Sequence, residues 1–335
     1  MKPHILITFL ALINLFLGQV SAKESNITKL SSAYGFIIGQ ELSLELVEKQ
    51  FPNLSTEVKA AWFAFNTSGI GEGAKSVKGD LEVALGDKWP EFKRKMSEQI
   101  SLAMKDQQLT QKQAEEFLNQ VKKRSKGQGL LPQPILATLL SANKRFENNP
   151  ALEMAEGWKT TFSTKGHEKA KGMKFKVSYP SSWQAAEGSR PNIVQKFIGK
   201  STSGMDMVTL TTKSLPPPFD KKLTPEETKE ILSKDVVIEM LPSGSKILLH
   251  KITKIDGEPC AMAEFIFVTE RVGIKIAQKG MVFVIPRPGN LLLIQCASGG
   301  DATKGMKDID ERYLKTKSLF TLIGASCVFV DKWEE

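Results

Sequence analysis

The apolar residues of this 335-residue chain change their period once, near residue 172, so two different architectures must share one protein. On the N-terminal side Leu30, Tyr34, Ile37, Ile38, Leu42, Leu46 and Val47 recur at the three- and four-residue steps of one helix face, and the run stops ahead of Pro52. On the C-terminal side Lys174-Phe175-Lys176-Val177-Ser178-Tyr179 alternates polar with apolar residues, the two-residue step of a strand with one buried face.

Further helices are expected along the first half. Ser55 or Thr56 caps one that reaches Phe65, Gly69, Gly71 and Gly73 break the pattern, and another helix covers 74–85. The next runs from Trp89-Pro90 to Asp106. Thr110 with Gln113 at capping-box spacing opens a fifth, and Lys122, Lys123 and Arg124 suit its negative end before Gly127. Pro132 and Pro134 precede a sixth, Ile135 to Phe146, which Asn148-Asn149-Pro150 ends. Short connections between such helices imply a bundle of antiparallel neighbours.

In the second half, strands are expected at 174–179, 193–198, within 205–213, and at 246–254, 261–269, 274–285 and 291–296. Gly273 and the turn Pro286-Arg287-Pro288-Gly289-Asn290 make the last three an antiparallel meander. Thr224, Pro225 and Glu227 mark a helix start by cap, first-turn proline and capping box, and a closing helix spans 308–322. The fold class is therefore α+β: a helical domain at 23–157, a polar lysine-rich linker at 158–171, and an antiparallel sheet with helical cover at 172–335.

Residues 1–22 read as a secretory signal peptide. Lys2 precedes the apolar run Ile5 to Leu17, and Val20 and Ala22 place small residues ahead of a cleavage after Ala22. A periplasmic or secreted protein beginning at Lys23 is expected, with no transmembrane segment in the mature chain. Its charge is uneven: residues 23–156 carry 18 basic and 17 acidic groups, and residues 157–335 carry 27 and 20. An excess of cations outside the cytoplasm points to an acidic protein or another anionic envelope component as partner, and away from nucleic acid. The cysteines, Cys260, Cys296 and Cys327, are odd in number; either two pair, or all three are buried thiols acting as small apolar residues.

One run of features in the second half follows a recognisable order. Phe175-Lys176-Val177-Ser178-Tyr179-Pro180-Ser181-Ser182-Trp183 comes first, then Leu223-Thr224-Pro225-Glu226-Glu227 and Ile255-Asp256-Gly257-Glu258-Pro259. A strand ending at Arg271, the strand from Leu291 to Cys296 and a closing helix complete it. Over residues 172–330 this order resembles the PsbP-like family, known from the extrinsic subunit of photosystem II and from exported bacterial proteins. The resemblance implies an α/β/α sandwich with an antiparallel sheet, and binding or scaffolding in preference to catalysis. In the first half, Tyr34-Gly35-Phe36-Ile37-Ile38-Gly39 resembles the opening of the dimerisation domain of exported FKBP-type prolyl isomerases, which implies a homodimer through these helices.

Chemistry is sparsely encoded. His167 and His250 are the two histidines of the mature chain, too few for a zinc site without a CxxC pair, so neither metal nor cofactor is expected. No GxSxG elbow or phosphate-cradling GxxxxGK[ST] loop is present, and acidic pairs such as Glu226-Glu227 sit at helix starts. The strongest local candidate is a basic patch of Lys165, Lys169, Lys171, Lys174 and Lys176, in which Lys174 and Lys176 share one strand face. The expectation is an exported non-enzymatic binding or scaffold protein. The alternatives are a hydrolase using His167 or His250 in an interdomain cleft, and a folding helper that holds clients on the helical half.

Overall fold

The structure is a computed structural model that describes residues 26–129, 131–201, 204–217, 219, 223–271 and 274–333; the expected signal segment, 1–22, lies outside them. Contacts divide the chain into two compact units, 1–147 and 148–335.

The first unit is helical. Its elements are α1 (Asn26–Gln50), α2 (Ser55–Asn66), α3 (Gly69–Leu85), α4 (Trp89–Met104), α5 (Gln111–Arg124), α6 (Gln133–Ala142) and α7 (Lys144–Asn148). α1 packs against α2, α3, α4 and α6. It buries residues on several faces, among them Ala33, Tyr34, Phe36, Ile37, Leu44 and Val47, as a central helix must. Tyr34 meets Trp89 with ring centroids 5.1 Å apart. Arg124, at the end of α5, is also buried; its guanidinium donates to Gln40 Oε1 at 3.2 Å and lies 5.5 Å from the Phe36 ring centre. Loss of solvent lowers its pKa to about 10, which leaves it charged at neutral pH.

Thr110 and Gln113 form the expected capping box. Two expectations in this unit are corrected. Gly69, Gly71 and Gly73 do not interrupt a helix; they are in the first turns of α3, capped by Ser68, and at Gly71 and Gly73 neighbouring backbone leaves no room for a Cβ atom. The sixth helix stops at Ala142, where Asn143 turns extended, donates from Nδ2 to Gly69 O at 2.8 Å, and accepts from Arg145 N at 2.9 Å to start α7.

The second unit contains α8 (Ala151–Ala155), β1 (Lys159–Ser163), β2 (Phe175–Pro180), β3 (Gln184–Glu187), β4 (Ile193–Ser201) and β5 (Gly204–Ser214). These are followed by α9 (Pro225–Ile231), α10 (Lys234–Glu239), β6 (Lys246–Ile255), β7 (Glu258–Arg271), β8 (Ile274–Arg287), β9 (Asn290–Asp301), α11 (Lys307–Ala325) and β10 (Val328–Phe329). A seven-stranded antiparallel sheet has the order β3-β4-β5-β9-β8-β7-β6, and a smaller sheet has the order β1-β2-β10.

Alternation along β8 explains the layers. Met281, Phe283 and Ile285 enter a core with Tyr313, Leu319, Phe320 and Ile323 of α11 and with Phe175 and Val177 of the small sheet. Val282 and Val284 face the other way, onto Ile231, Leu232 and Val237 of α9 and α10. The sheet is thus covered on both faces, an α+β sandwich. Thr224 and Glu227 form the expected capping box of α9.

Residues 158–171, read as a linker from their polar composition, are folded. Lys159–Ser163 pairs with β2, and Glu168–Ala170 forms a single 3-10 turn. Thr164 holds this stretch in place, donating from Oγ1 to Met173 O at 2.8 Å while accepting from Phe175 N at 2.9 Å. All three cysteines are buried free thiols. Burial pushes the Cys260 thiol up to about 12 and those of Cys296 and Cys327 upward as well, so they are inert apolar groups.

Candidate functional site

The candidate site grows from the turn that enters β2. Lys171 adopts a left-handed conformation, φ 52°, and Gly172 follows at φ 81°. A non-glycine residue rarely accepts that geometry, and here it aims the Lys171 side chain at β5, where Nζ donates to Ser214 Oγ at 3.1 Å. Lys171 to Lys174 form one wall of an open groove of about 250 Å³. The opposite wall is the β8–β9 turn with Arg287, Pro288 and Asn290, and the C-terminal segment adds Phe329 and Asp331.

Arg287 is held rigidly in this groove. Its Nη1 lies 2.7 Å from Glu258 Oε1, its Nη2 donates to Asp331 Oδ2 at 2.8 Å, and the guanidinium carbon stands 4.6 Å above the Phe329 ring centre. The C-terminal segment is itself fastened. Phe329 pairs with Phe175, Val330 N donates to Lys174 O at 2.9 Å, and Asp256 in the β6–β7 turn accepts from Phe329 N at 2.8 Å. The groove is therefore lined by Lys171, Lys174, an Arg287 already paired with Glu258 and Asp331, and the Asn290 amide, with Phe329 buried beneath the guanidinium. Such a set suits a small anionic group, which the lysines reach from one side.

The five expected lysines do not converge. Lys171 and Lys174 line the groove. Lys169 turns away to Glu187, with Nζ and Oε1 2.6 Å apart, and to Gly188 O at 2.6 Å. Lys165 is exposed on a turn, and Lys176 projects from β2, exposed between buried Phe175 and Val177. The histidines are absent from the groove lining. His250 Nε2 is 2.9 Å from Leu232 O, and His167 meets the edge of Phe162 with ring centroids 6.1 Å apart. Among the described residues no cluster of three His, Cys, Asp or Glu side chains is placed to hold a metal, and no helix is long and apolar enough to cross a membrane.

Sequence reasoning passed over Arg287, Asn290, Phe329 and Asp331, which lie more than a hundred residues beyond Lys171 and are brought near it by pairing within both sheets. It also passed over Glu153. This α8 carboxylate is buried, and its Oε1 and Oε2 accept from Ser182 N and Ser182 Oγ, both at 2.7 Å, which ties α8 to the turn before β3. Burial raises its pKa to about 7, against the lowering effect of those two bonds.

The folded state therefore holds the Glu153 proton more tightly than the unfolded chain does. The stabilising effect is complete below the ordinary value of 4.5 and is lost as pH rises to about 7. Glu153→Gln keeps an acceptor and removes the titration. In chemical denaturation the variant should gain on the order of 3 kcal/mol relative to the native protein between pH 4.5 and 8. A pH-independent difference between the two would show that Glu153 is not the titrating group.

No protein-family model matches the chain, and no curated protein sequence matches it. Among solved structures, the chain is similar to cyanobacterial PsbP (CyanoP) from Synechocystis sp. PCC 6803, with 14% identity over 51% of this chain and 92% of that one and a TM-score of 0.33. It is similar to LpqN, involved in cell envelope biogenesis of Mycobacterium tuberculosis, with 12% identity over 54% and 96% and a TM-score of 0.32. A third similar structure, from Bacteroides thetaiotaomicron VPI-5482, has 13% identity over 48% of this chain and 47% of that one and a TM-score of 0.26.

Proposed function

We propose that the protein is an exported, non-enzymatic binding protein that engages an acidic group of an envelope or secreted partner through the groove of its second unit. The observation that carries this reading is a groove lined by Lys171, Lys174 and Arg287, with the Arg287 guanidinium over Phe329, on a frame clamped by the C-terminal segment. The positive excess of residues 157–335 draws acidic partners toward the same unit. Export rests on the leader-like residues 1–22.

The test is affinity capture from envelope and secreted fractions with the chain starting at Lys23, beside a Lys171→Gln/Lys174→Gln variant. Both lysines are exposed, so the fold tolerates the change. A partner should be captured by the native protein, be released as salt is raised, and fall at least tenfold with the variant. Equal capture by both proteins would reject the groove, and retention on phosphatidylglycerol vesicles without a protein partner would move the reading to a lipid headgroup.

A further inference from the structure

The seven-stranded sheet ends on β6, whose outer side pairs with no strand among the described residues. Such an edge offers a row of unpaired backbone groups to any extended chain of compatible side chains. At β6, Leu248, the extra residue of a bulge opposite Phe265 and Glu264, interrupts the early part of the strand. Beyond it Leu249 to Ile255 runs in unbroken register with β7, a length of about 23 Å at the usual rise per residue.

The side chains along this edge are of two kinds. Leu248, Leu249 and Ile252 are 53%, 44% and 58% exposed, and Lys246, Lys251 and Lys254 are exposed among them. After the bulge, alternation places Leu249 and Lys251 on one face, and Ile252 and Lys254 with His250 on the other. Each face therefore presents one apolar and one cationic residue. A second copy of β6 offers only cations and no carboxylate along this edge, and in registers that place Lys251 or Lys254 opposite itself the two repel, whereas an acidic strand meets a lysine on either face.

We infer that β6 is a docking edge for an extended segment of a partner protein that carries acidic and apolar residues on both of its faces, added as an eighth strand. This surface is separate from the Lys171–Lys174 groove, so it stands or falls independently of the function proposed above.

A soluble dodecapeptide of repeating Val-Val-Glu-Glu supplies the probe, because each of its faces alternates valine with glutamate. Hydrogen exchange of the chain from Lys23 should show protection of β6 amides when the peptide is added, and Val-Val-Lys-Lys should bind at least tenfold more weakly. Lys251→Glu/Lys254→Glu, changed at exposed positions, should invert that preference, while Lys171→Gln/Lys174→Gln should bind the acidic peptide as the native protein does. No β6 protection at millimolar peptide, or binding unaltered by the charge reversal, would overturn the inference. So would β6 protection without peptide together with a dimer in sedimentation, which would assign the edge to a second copy.

Discussion

Gly73→Ala is expected to destabilise the helical unit by about 3 kcal/mol or more, while Gly79→Ala, six residues along the same helix, is expected to stabilise it by about 0.5–1 kcal/mol. A methyl group at Gly73 would overlap the carbonyl oxygen of Leu139 and stand 2.7 Å from its carbonyl carbon, so α3 and α6 would have to separate. Backbone cannot yield as a flexible side chain does. Gly79 meets nothing within 4 Å, and alanine there gains helix propensity without a contact. Thermal melts followed by helical circular dichroism separate the two effects. A stable Gly73→Ala protein would mean that α3 and α6 are not in backbone contact.

Asp206→Ala is expected to cost the second unit about 3–5 kcal/mol. Asp206 on β5 takes Arg312 Nε at 2.8 Å and Nη2 at 3.0 Å, and both side chains are nearly inaccessible to water. This pair fastens α11 to the sheet, together with Ser298 Oγ and Thr316 Oγ1 2.8 Å apart and Lys279 donating to Asp310 at 2.6 Å. Removing the carboxylate takes away both oxygens on which those guanidinium donors rest, in a place where solvent cannot replace them. The double variant Asp206→Leu/Arg312→Met should recover most of the loss, since two apolar groups of similar bulk carry no desolvation cost. Urea titrations of the single and double variants test this. A single variant as stable as the native protein would show that the pair contributes little to folding.

The site was harder to read than the fold because its residues are distant in sequence. The alternation at 174–179 predicted Lys174 and Lys176 on one strand face; β2 begins at Phe175, Lys176 is exposed between Phe175 and Val177, and Lys174 precedes the strand in the groove lining. Proximity in sequence also suggested that Lys165 and Lys169 belonged with them, yet Lys169 is taken by Glu187 from β3. Phe329 joins Lys171 only after β10 pairs with β2, and Arg287 only after β8 pairs with β9 and β9 with β5, whose Ser214 accepts from Lys171. The short strands β1, β3 and β10, of 5, 4 and 2 residues, have too little alternation to announce themselves. Glycine is ambiguous for a related reason: a break and a close packing contact look alike until the neighbouring helix is known, as Gly73 and Leu139 illustrate.

What the amino-acid sequence determined by itself was local. The helical and alternating periods and the capping boxes at Thr110 and Thr224 follow from side chains a few residues apart, which meet whatever the rest of the chain does. The tertiary structure alone decided which β5 carboxylate faces Arg312, which glycine touches a neighbouring backbone, and which lysines share a groove with Arg287. Those outcomes depend on strand order and helix packing, where residues a hundred positions apart come within 3 Å, and no local pattern of polarity records such a meeting.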